Sequence, residues 1–231
     1  MHQSINKKKI YFYFSLLFFI TTIINYSFIK TFKKFIEVKS ISIYGLNSNE
    51  KILIEKKLNL LIGQNIFFLN DNNILKKIEE IKFLENINIK KIFPSKLKIS
   101  LKKTNLIGIT YVNGKKFYIG KNQELIPVNQ VQNNLDLPVV FGKFKTNEYL
   151  ELLTLLEKYN IKKNEINNFF YYNNGRWDLK KKNDLHVMLP SSNLEKSIKL
   201  YKSFLKANIS KKIKSIDLRI PNQISIIDEN K

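Results

Sequence analysis

The sequence contains no cysteine, and histidine and tryptophan are scarce. Its 231 residues include two histidines and one tryptophan. The lack of cysteine excludes a disulfide framework, a thiolate zinc site, an iron–sulfur cluster and a cysteine nucleophile. The histidines, at positions 2 and 186, are too few for a site with several histidine ligands. We therefore expect neither a metal site nor a bound cofactor.

Arginine is also scarce, although the chain is strongly basic. The formal net charge is +21, yet only two of the 40 basic residues are arginine, Arg176 and Arg219. Lysine, isoleucine and asparagine, all abundant here, have AT-rich codons, so genome composition is one explanation of the charge. A polyanionic partner or a lipid surface is the other. The lysines are spread out without interleaved aromatics, which argues against nucleic acid. Each arginine indicates a place where a planar, two-pronged donor is needed.

No motif in the chain predicts catalysis. The glycines near Lys115 lack the spacing and the following Ser or Thr of a phosphate-binding loop, and G-x-S-x-G and H-E-x-x-H do not occur. His186 lies in an alternating run that is typical of a strand face. Glu79 and Glu80 fall on the solvated face of a predicted helix. We expect no enzyme and no small-molecule substrate.

Residues 10–29 carry no charge and predict one transmembrane helix. At about 1.5 Å per residue the run spans roughly 30 Å, the thickness of a bilayer core. A cleaved signal peptide would have a shorter apolar region followed by small residues, which is not the pattern here. A buried core helix is the other alternative. We expect residues 1–9 to form a cytoplasmic tail, with the later residues outside the membrane.

Residues 37–103 follow residues 30–36, a short linker, and predict the order β-α-α-β-β. Alternating residues predict the strands, and apolar residues at helical spacing predict two helices. The helical stripes are Ile54, Leu58 and Leu61, and then Ile74, Ile78 and Ile81. We expect a three-stranded sheet with both helices on one side.

Three short motifs in this region resemble those of a POTRA domain. They are I-S-I-Y-G at 41–45, G-Q-N-I-F at 63–67 and F-P-S-K-L-K-I at 93–99. A single membrane anchor followed by one such domain resembles the FtsQ/DivIB family of bacterial cell division proteins. The resemblance implies an α+β fold in which residues 104–231 form a mixed α/β domain with a mainly antiparallel sheet.

Later motifs resemble the same family. They are L-P-V-V-F-G at 137–142, G-R-W-D-L at 175–179 and I-D-L-R-I-P-N at 216–222. The last predicted strand, about 223–227, comes close to the end of the sequence. We expect it to form an open sheet edge, which invites strand addition by a partner. A covered edge is the alternative.

The resemblance implies a partner-binding site along this last strand. FtsQ proteins receive the FtsB–FtsL subcomplex there, so the ladder residues would be Ile224, Ser225, Ile226 and Ile227. Arg176 and Arg219 would pair with partner carboxylates in a bidentate manner. Internal salt bridges are the alternative for both arginines. Ile220, at a position where the family has an aromatic residue, completes the predicted site.

The implied function is that of a non-catalytic, single-pass scaffold of the bacterial divisome. It would sit in the inner membrane at the septum, with a cytoplasmic N-terminus and periplasmic domains. FtsB and FtsL are the implied partners, and FtsW, FtsI and FtsK are further candidates. Two alternatives stay open: a POTRA-bearing transport or assembly factor, and a lysine-driven binder of polyanions or lipid surfaces.

Overall fold

The computed structural model describes residues 7–22, 26–131, 136–207 and 213–228. The helices, in chain order, are α1 (Lys7–Thr22), α2 (Tyr26–Phe35), α3 (Ser48–Leu58), α4 (Asp71–Ile78), α5 (Thr146–Lys158) and α6 (Leu194–Lys206). The strands are β1 (Ser40–Tyr44), β2 (Leu84–Ile92), β3 (Lys96–Lys103), β4 (Leu106–Val112), β5 (Lys115–Gly120), β6 (Leu125–Pro127), β7 (Val139–Phe141), β8 (Ile166–Tyr171), β9 (Trp177–Lys181), β10 (His186–Met188), β11 (Ile213–Asp217) and β12 (Ser225–Asp228).

The apolar N-terminal region is divided between α1 and α2. Residues 23–25 of the predicted 10–29 span lie outside the described residues. Within the described part of the chain, no helix combines the length and the apolar character that a bilayer crossing requires.

The chain divides into two compact units. The first comprises the described parts of Met1–Tyr44, Lys51–Ile78 and Asn88–Ser100, and the second comprises Gly45–Glu50, Glu79–Ile87 and the described parts of Leu101–Lys231. Each unit is built from three separate segments of the chain, so neither is one continuous stretch.

The first unit contains the parallel pair β1 and β3, in which Ile43 lies opposite Ile99. Together with β2 these strands form a sheet in the order β1-β3-β2. The predicted helical stripes are confirmed as core, because Ile54, Leu58 and Ile74 are fully buried. Their four-residue spacing places such side chains on one face of each helix, which packs into the core.

The second unit is built on a nine-stranded sheet in the order β12-β11-β10-β9-β8-β7-β4-β5-β6. Five neighbouring pairs are antiparallel, and the pairs β4–β7, β7–β8 and β10–β11 are parallel. Helices connect two of these three parallel pairs, since a parallel pair cannot be joined by a tight turn. Thus α5 lies between β7 and β8 in the chain, and α6 lies between β10 and β11.

Alternate strand residues of this sheet pack with α5 and α6 in one buried cluster. Its aromatic centre contains Tyr149, Phe169 and Trp177, with the rings of Tyr149 and Phe169 5.1 Å apart. The register also places Leu179, Val187 and Ile216 on this face. We call it the helix-covered face. The intervening residues lie on the opposite face because successive side chains of a strand alternate.

A turn after β11 reverses the chain and sets β12 antiparallel to β11. The amide of Gln223 donates to the carbonyl of Ile220 at 3.2 Å. Asn222 adopts a left-handed conformation with φ of 62°, which asparagine tolerates better than most residues. The turn therefore forms without a glycine, and β12 lies at one end of the sheet.

Candidate partner-binding edge of the sheet

The outer edge of β12 exposes the backbone groups of alternate residues within the segment 225–227. The strand pairs with β11 on one side only, and no strand of the described residues pairs with its other side. Ile226 and Ile227 are 40% and 54% exposed. Ile224, just before the strand, packs against the edge of the buried cluster. An edge of this kind presents N–H and C=O groups that another chain can pair with.

The two faces of β12 carry different side chains. Ile226 lies opposite Ile216 and so belongs to the helix-covered face, whereas Ser225 and Ile227 belong to the opposite face. Next to Ile227 a groove of about 590 Å³ is lined in part by Phe170, Lys180 and Met188. A strand added at the edge would place alternate side chains beside Ile226 and beside this groove.

Arg219 is held by an internal carboxylate in the turn that follows β11. Its Nε donates to both carboxylate oxygens of Asp217 at 2.9 Å, and its backbone amide donates to Oδ1 at 2.9 Å. Hydrogen bonding to Arg219 lowers the pKa of Asp217, and Asp217 raises the pKa of Arg219. The Arg219 side chain is 45% exposed and that of Asp217 is 22% exposed, so a competing carboxylate can reach the guanidinium.

Arg176 is held in a more buried pair just before β9. Its Nε lies 3.1 Å from Oδ1 of Asp178, and its guanidinium lies 4.1 Å from the ring centre of Tyr172. The Asp178 side chain is 1% exposed. Burial raises the pKa of this carboxyl group, and the charges of Arg176 and His186 oppose that rise. His186 lies on β10 with its Nε2 3.5 Å from Oδ2 of Asp178.

One row across the sheet joins both pairs to the edge strand. Asp178 lies opposite Met188, Met188 opposite Asp217, and Asp217 opposite Ser225. The two acid–base pairs therefore share the face that carries Ile227. Arg176 itself is separated from β12 by β10 and β11.

The structure thus gathers most, but not all, of the predicted site at the edge. Ile224, Ser225, Ile226 and Ile227 lie on or beside β12, and Ile220 is exposed in the adjacent turn. Both arginines occupy the alternative arrangement, internal salt bridges. The reasoning from sequence missed Asp178 and Asp217. Each of these aspartates lies two residues from an arginine in the sequence. That spacing could have indicated the two ion pairs, because residues i and i+2 of an extended chain share a face.

A second groove, of about 380 Å³, lies beside Arg219. Its lining includes Lys196 and Lys199 of α6 together with Pro221 and Asn222 of the turn. Three cationic side chains therefore border it, which favours an acidic ligand by charge complementarity.

The fold and this edge define a class of protein in which a POTRA domain precedes a β domain. Residues 36–103 match the family description "POTRA domain, FtsQ-type". Residues 109–219 match "Cell division protein FtsQ/DivIB, C-terminal". Together the matches cover well over half of the chain. The chain belongs to the FtsQ/DivIB family of cell division proteins.

Two relatives named cell division protein FtsQ agree with this assignment. The chain is 26% identical over 192 residues to the cell division protein FtsQ of Rickettsia bellii, covering 82% of this chain and 72% of that protein. It is 20% identical over 191 residues to FtsQ of Agrobacterium fabrum, covering 82% and 60%. It also matches the major extracytoplasmic domain of DivIB from Geobacillus stearothermophilus at 14% identity and a TM-score of 0.32, covering 47% of this chain and 98% of that domain.

Replacing Arg176 by glutamine should destabilise the protein by about 3 kcal/mol, because the buried Asp178 carboxylate loses its nearest cation. Urea unfolding followed by the fluorescence of Trp177 measures this. The loss should grow as the pH rises above the unfolded-state pKa of Asp178, because removing Arg176 raises the folded-state pKa of this carboxyl group further. A carboxyl group whose pKa is higher in the folded than in the unfolded state costs stability as it ionises.

Two variants control this measurement. Adding Asp178→Asn to Arg176→Gln removes the stranded charge and should recover most of the lost free energy. Arg219→Gln breaks the more exposed pair and should cost much less than Arg176→Gln. Equal losses for the two arginine variants would contradict the assignment of Arg176 to a buried, stabilising pair.

Proposed function

We propose that the protein is a non-catalytic scaffold that captures an extended segment of a division partner along β12. The observation that supports this most strongly is the position of β12 at the end of the sheet, with one flank of Ser225–Ile227 lacking a partner strand among the described residues. Backbone pairing supplies affinity in strand addition, and alternate side chains supply specificity.

The surfaces beside β12 suit a segment that is both apolar and acidic. Ile226 on one face, and Ile227 with its neighbouring groove on the other, offer apolar contacts for alternate side chains. The groove at Arg219, Lys196 and Lys199 offers positive charge. Arg219 would exchange its accessible bond to Asp217 for a bidentate bond to a partner carboxylate. Ile220 and Ile224 would border the bound segment.

Arg176 would act differently, since its partner Asp178 is buried and two strands separate it from β12. In this proposal Arg176 neutralises the buried Asp178 and so keeps this part of the sheet ordered. Arg176 would contact the partner only if a side chain of the partner extended over this face of the sheet as far as Tyr172.

The family membership supports the cellular setting of the proposal. The partner would be the FtsB–FtsL subcomplex, and the protein would link early and late division proteins at the septum. Residues 10–29 would anchor it in the inner membrane, with residues 37–103 as the POTRA domain and 104–231 as the β domain outside. Strand addition with apolar contacts should change little between low and moderate salt, whereas a lysine-driven polyanion binder would lose affinity steeply.

Proline in β12 tests the edge directly, because proline removes one ladder donor. Ile226→Pro should abolish capture of FtsB–FtsL in a pull-down while the fluorescence of Trp177, which is buried in the core, stays native. Ile226→Ala keeps every backbone donor and should weaken capture only modestly.

Ile227→Pro is the matched neighbour, since successive strand residues point their N–H groups toward opposite edges. The amide of Leu218 donates to the carbonyl of Met188, so by alternation the N–H group of Ile216 also points toward β10. Its cross-strand partner Ile226 therefore points its own N–H toward the open edge, and Ile226→Pro should fold normally and lose capture. Ile227→Pro removes an inward N–H and should loosen the pairing of β12 with β11. Normal capture by both variants would overturn the edge as the binding site.

A fluorescent fusion of the full chain tests the cellular role. In dividing cells it should gather in a band at the constriction, because a divisome scaffold is held there by its partners. The control is a fusion that ends at residue 36, so that it keeps the apolar segment and lacks the domains that follow it. Uniform membrane fluorescence of the full-length fusion in constricting cells would contradict a role in division.

A further inference from the structure

Exposed apolar side chains gather in the loop that follows α3 in the first unit. Leu60, Ile62, Phe67 and Phe68 are all exposed, and Phe68, at 85%, is the most exposed large apolar side chain of the described residues. We call these four residues the apolar lip. Apolar side chains that are exposed together in one loop mark a contact surface more often than single scattered ones do.

The lip is part of an ordered loop. The amide of Phe67 donates to the side-chain oxygen of Asn65 at 2.9 Å, and the amide of Phe68 donates to the backbone carbonyl of Asn65 at 3.2 Å. Leu61 and Ile66 of the same loop are fully buried. The loop therefore fixes two side chains in the core and directs the lip outward, so little conformational entropy is left to lose when the lip docks.

Backbone hydrogen bonds tie this loop to the residues just after α2. The amide of Ile66 donates to the carbonyl of Ile36 at 3.0 Å, and the amide of Val38 donates to the carbonyl of Gln64 at 2.9 Å. Since α2 ends at Phe35, the loop is attached where the N-terminal helical region gives way to the folded unit.

The sequence of α2 is typical of a helix at a lipid surface. Ile29, Phe32 and Phe35 recur every third residue and are exposed, and they alternate with lysines at 30, 33 and 34. Apolar and basic residues in this arrangement lie between acyl chains and headgroups. From Lys30, the first residue after the uncharged run, to Phe35 the helix rises only about 7.5 Å, so the loop is attached close to the end of the predicted anchor.

We propose that the apolar lip docks into the headgroup layer of a lipid surface that contains anionic lipid. This rests on the membrane anchoring in the proposed function, because the anchor delivers the loop to the bilayer. Phenylalanine and aliphatic side chains bury their apolar area at this depth. The first unit would then be held against the membrane by two contacts, the anchor and the lip.

The charge around the lip favours lipid over a second copy of the chain. Lys56 and Lys57 occupy the last turn of α3, immediately before the lip. The ammonium of Lys91 donates to the carbonyl of Leu69, immediately after it. Anionic headgroups would attract these lysines, whereas two copies meeting at their lips would bring the same lysines together.

Site-specific labelling of the full chain tests the lip, and the absence of native cysteine makes a single label unambiguous. Phe68→Cys, carrying an environment-sensitive nitrobenzoxadiazole label, is reconstituted into vesicles of phosphatidylethanolamine and phosphatidylglycerol. The control is Ile52→Cys on α3, which is 62% exposed and lies about 9 Å along the helix axis from Leu58, the last residue of α3. Brominated lipid should quench the label at position 68 about twofold or more over the label at 52.

Each other result overturns the lip. Equal quenching at both positions would mean that the contact is not particular to the lip. A label at position 68 that stays accessible to aqueous iodide would place the lip in water. A label shielded from both iodide and lipid would indicate a protein occupant. Extraction of the same vesicles with alkaline carbonate separates these failures from loss of the anchor. Release of the chain from the vesicles would refute the anchoring. Retention of the chain with a label at position 68 that iodide still quenches would refute only the docking of the lip.

Discussion

An open β-sheet ends in backbone groups that no neighbouring strand satisfies, and the proposed function depends on that constraint. Here the nine-stranded sheet ends at β12, a four-residue strand whose side chains are partly exposed on both faces. Edge strands are commonly blunted by charge, proline or a covering element. Ser225, Ile226 and Ile227 carry no charge and no proline, and the one charge of the strand lies at its end, on Asp228. The edge along residues 225–227 therefore retains the features that favour pairing.

The connections of the sheet explain why the edge falls at this strand. The crossover through α6 sets β11 parallel to β10, and the turn containing Asn222 then adds β12 as the last strand. The aromatic cluster around Trp177 fixes the helix-covered face. On the opposite face, Asp178 and Asp217 bind the only two arginines of the chain. The edge is thus presented by a scaffold that is packed on one face and electrostatically paired on the other.

Local patterns in the sequence predicted the parts of this structure that depend on local physics. Helical spacing identified Ile54, Leu58 and Ile74 as core, and the last strand, predicted at about 223–227, is observed at Ser225–Asp228. The salt bridges of Arg176 and Arg219 were only one of two alternatives, because a partner carboxylate and an internal one satisfy a guanidinium equally well. The order of nine strands, with β7 between β8 and β4, arises from long-range packing that no local period encodes.

Backbone hydrogen exchange of β12 in the presence of captured FtsB–FtsL tests the central claim most directly. Strand addition predicts that the outward amides among residues 225–227 exchange markedly more slowly in the complex, because each gains a carbonyl partner, while the amides of the exposed turn at Asn222 change little. A stable complex in which the exchange of all three residues is unaltered would contradict the account, since the partner would then be bound elsewhere.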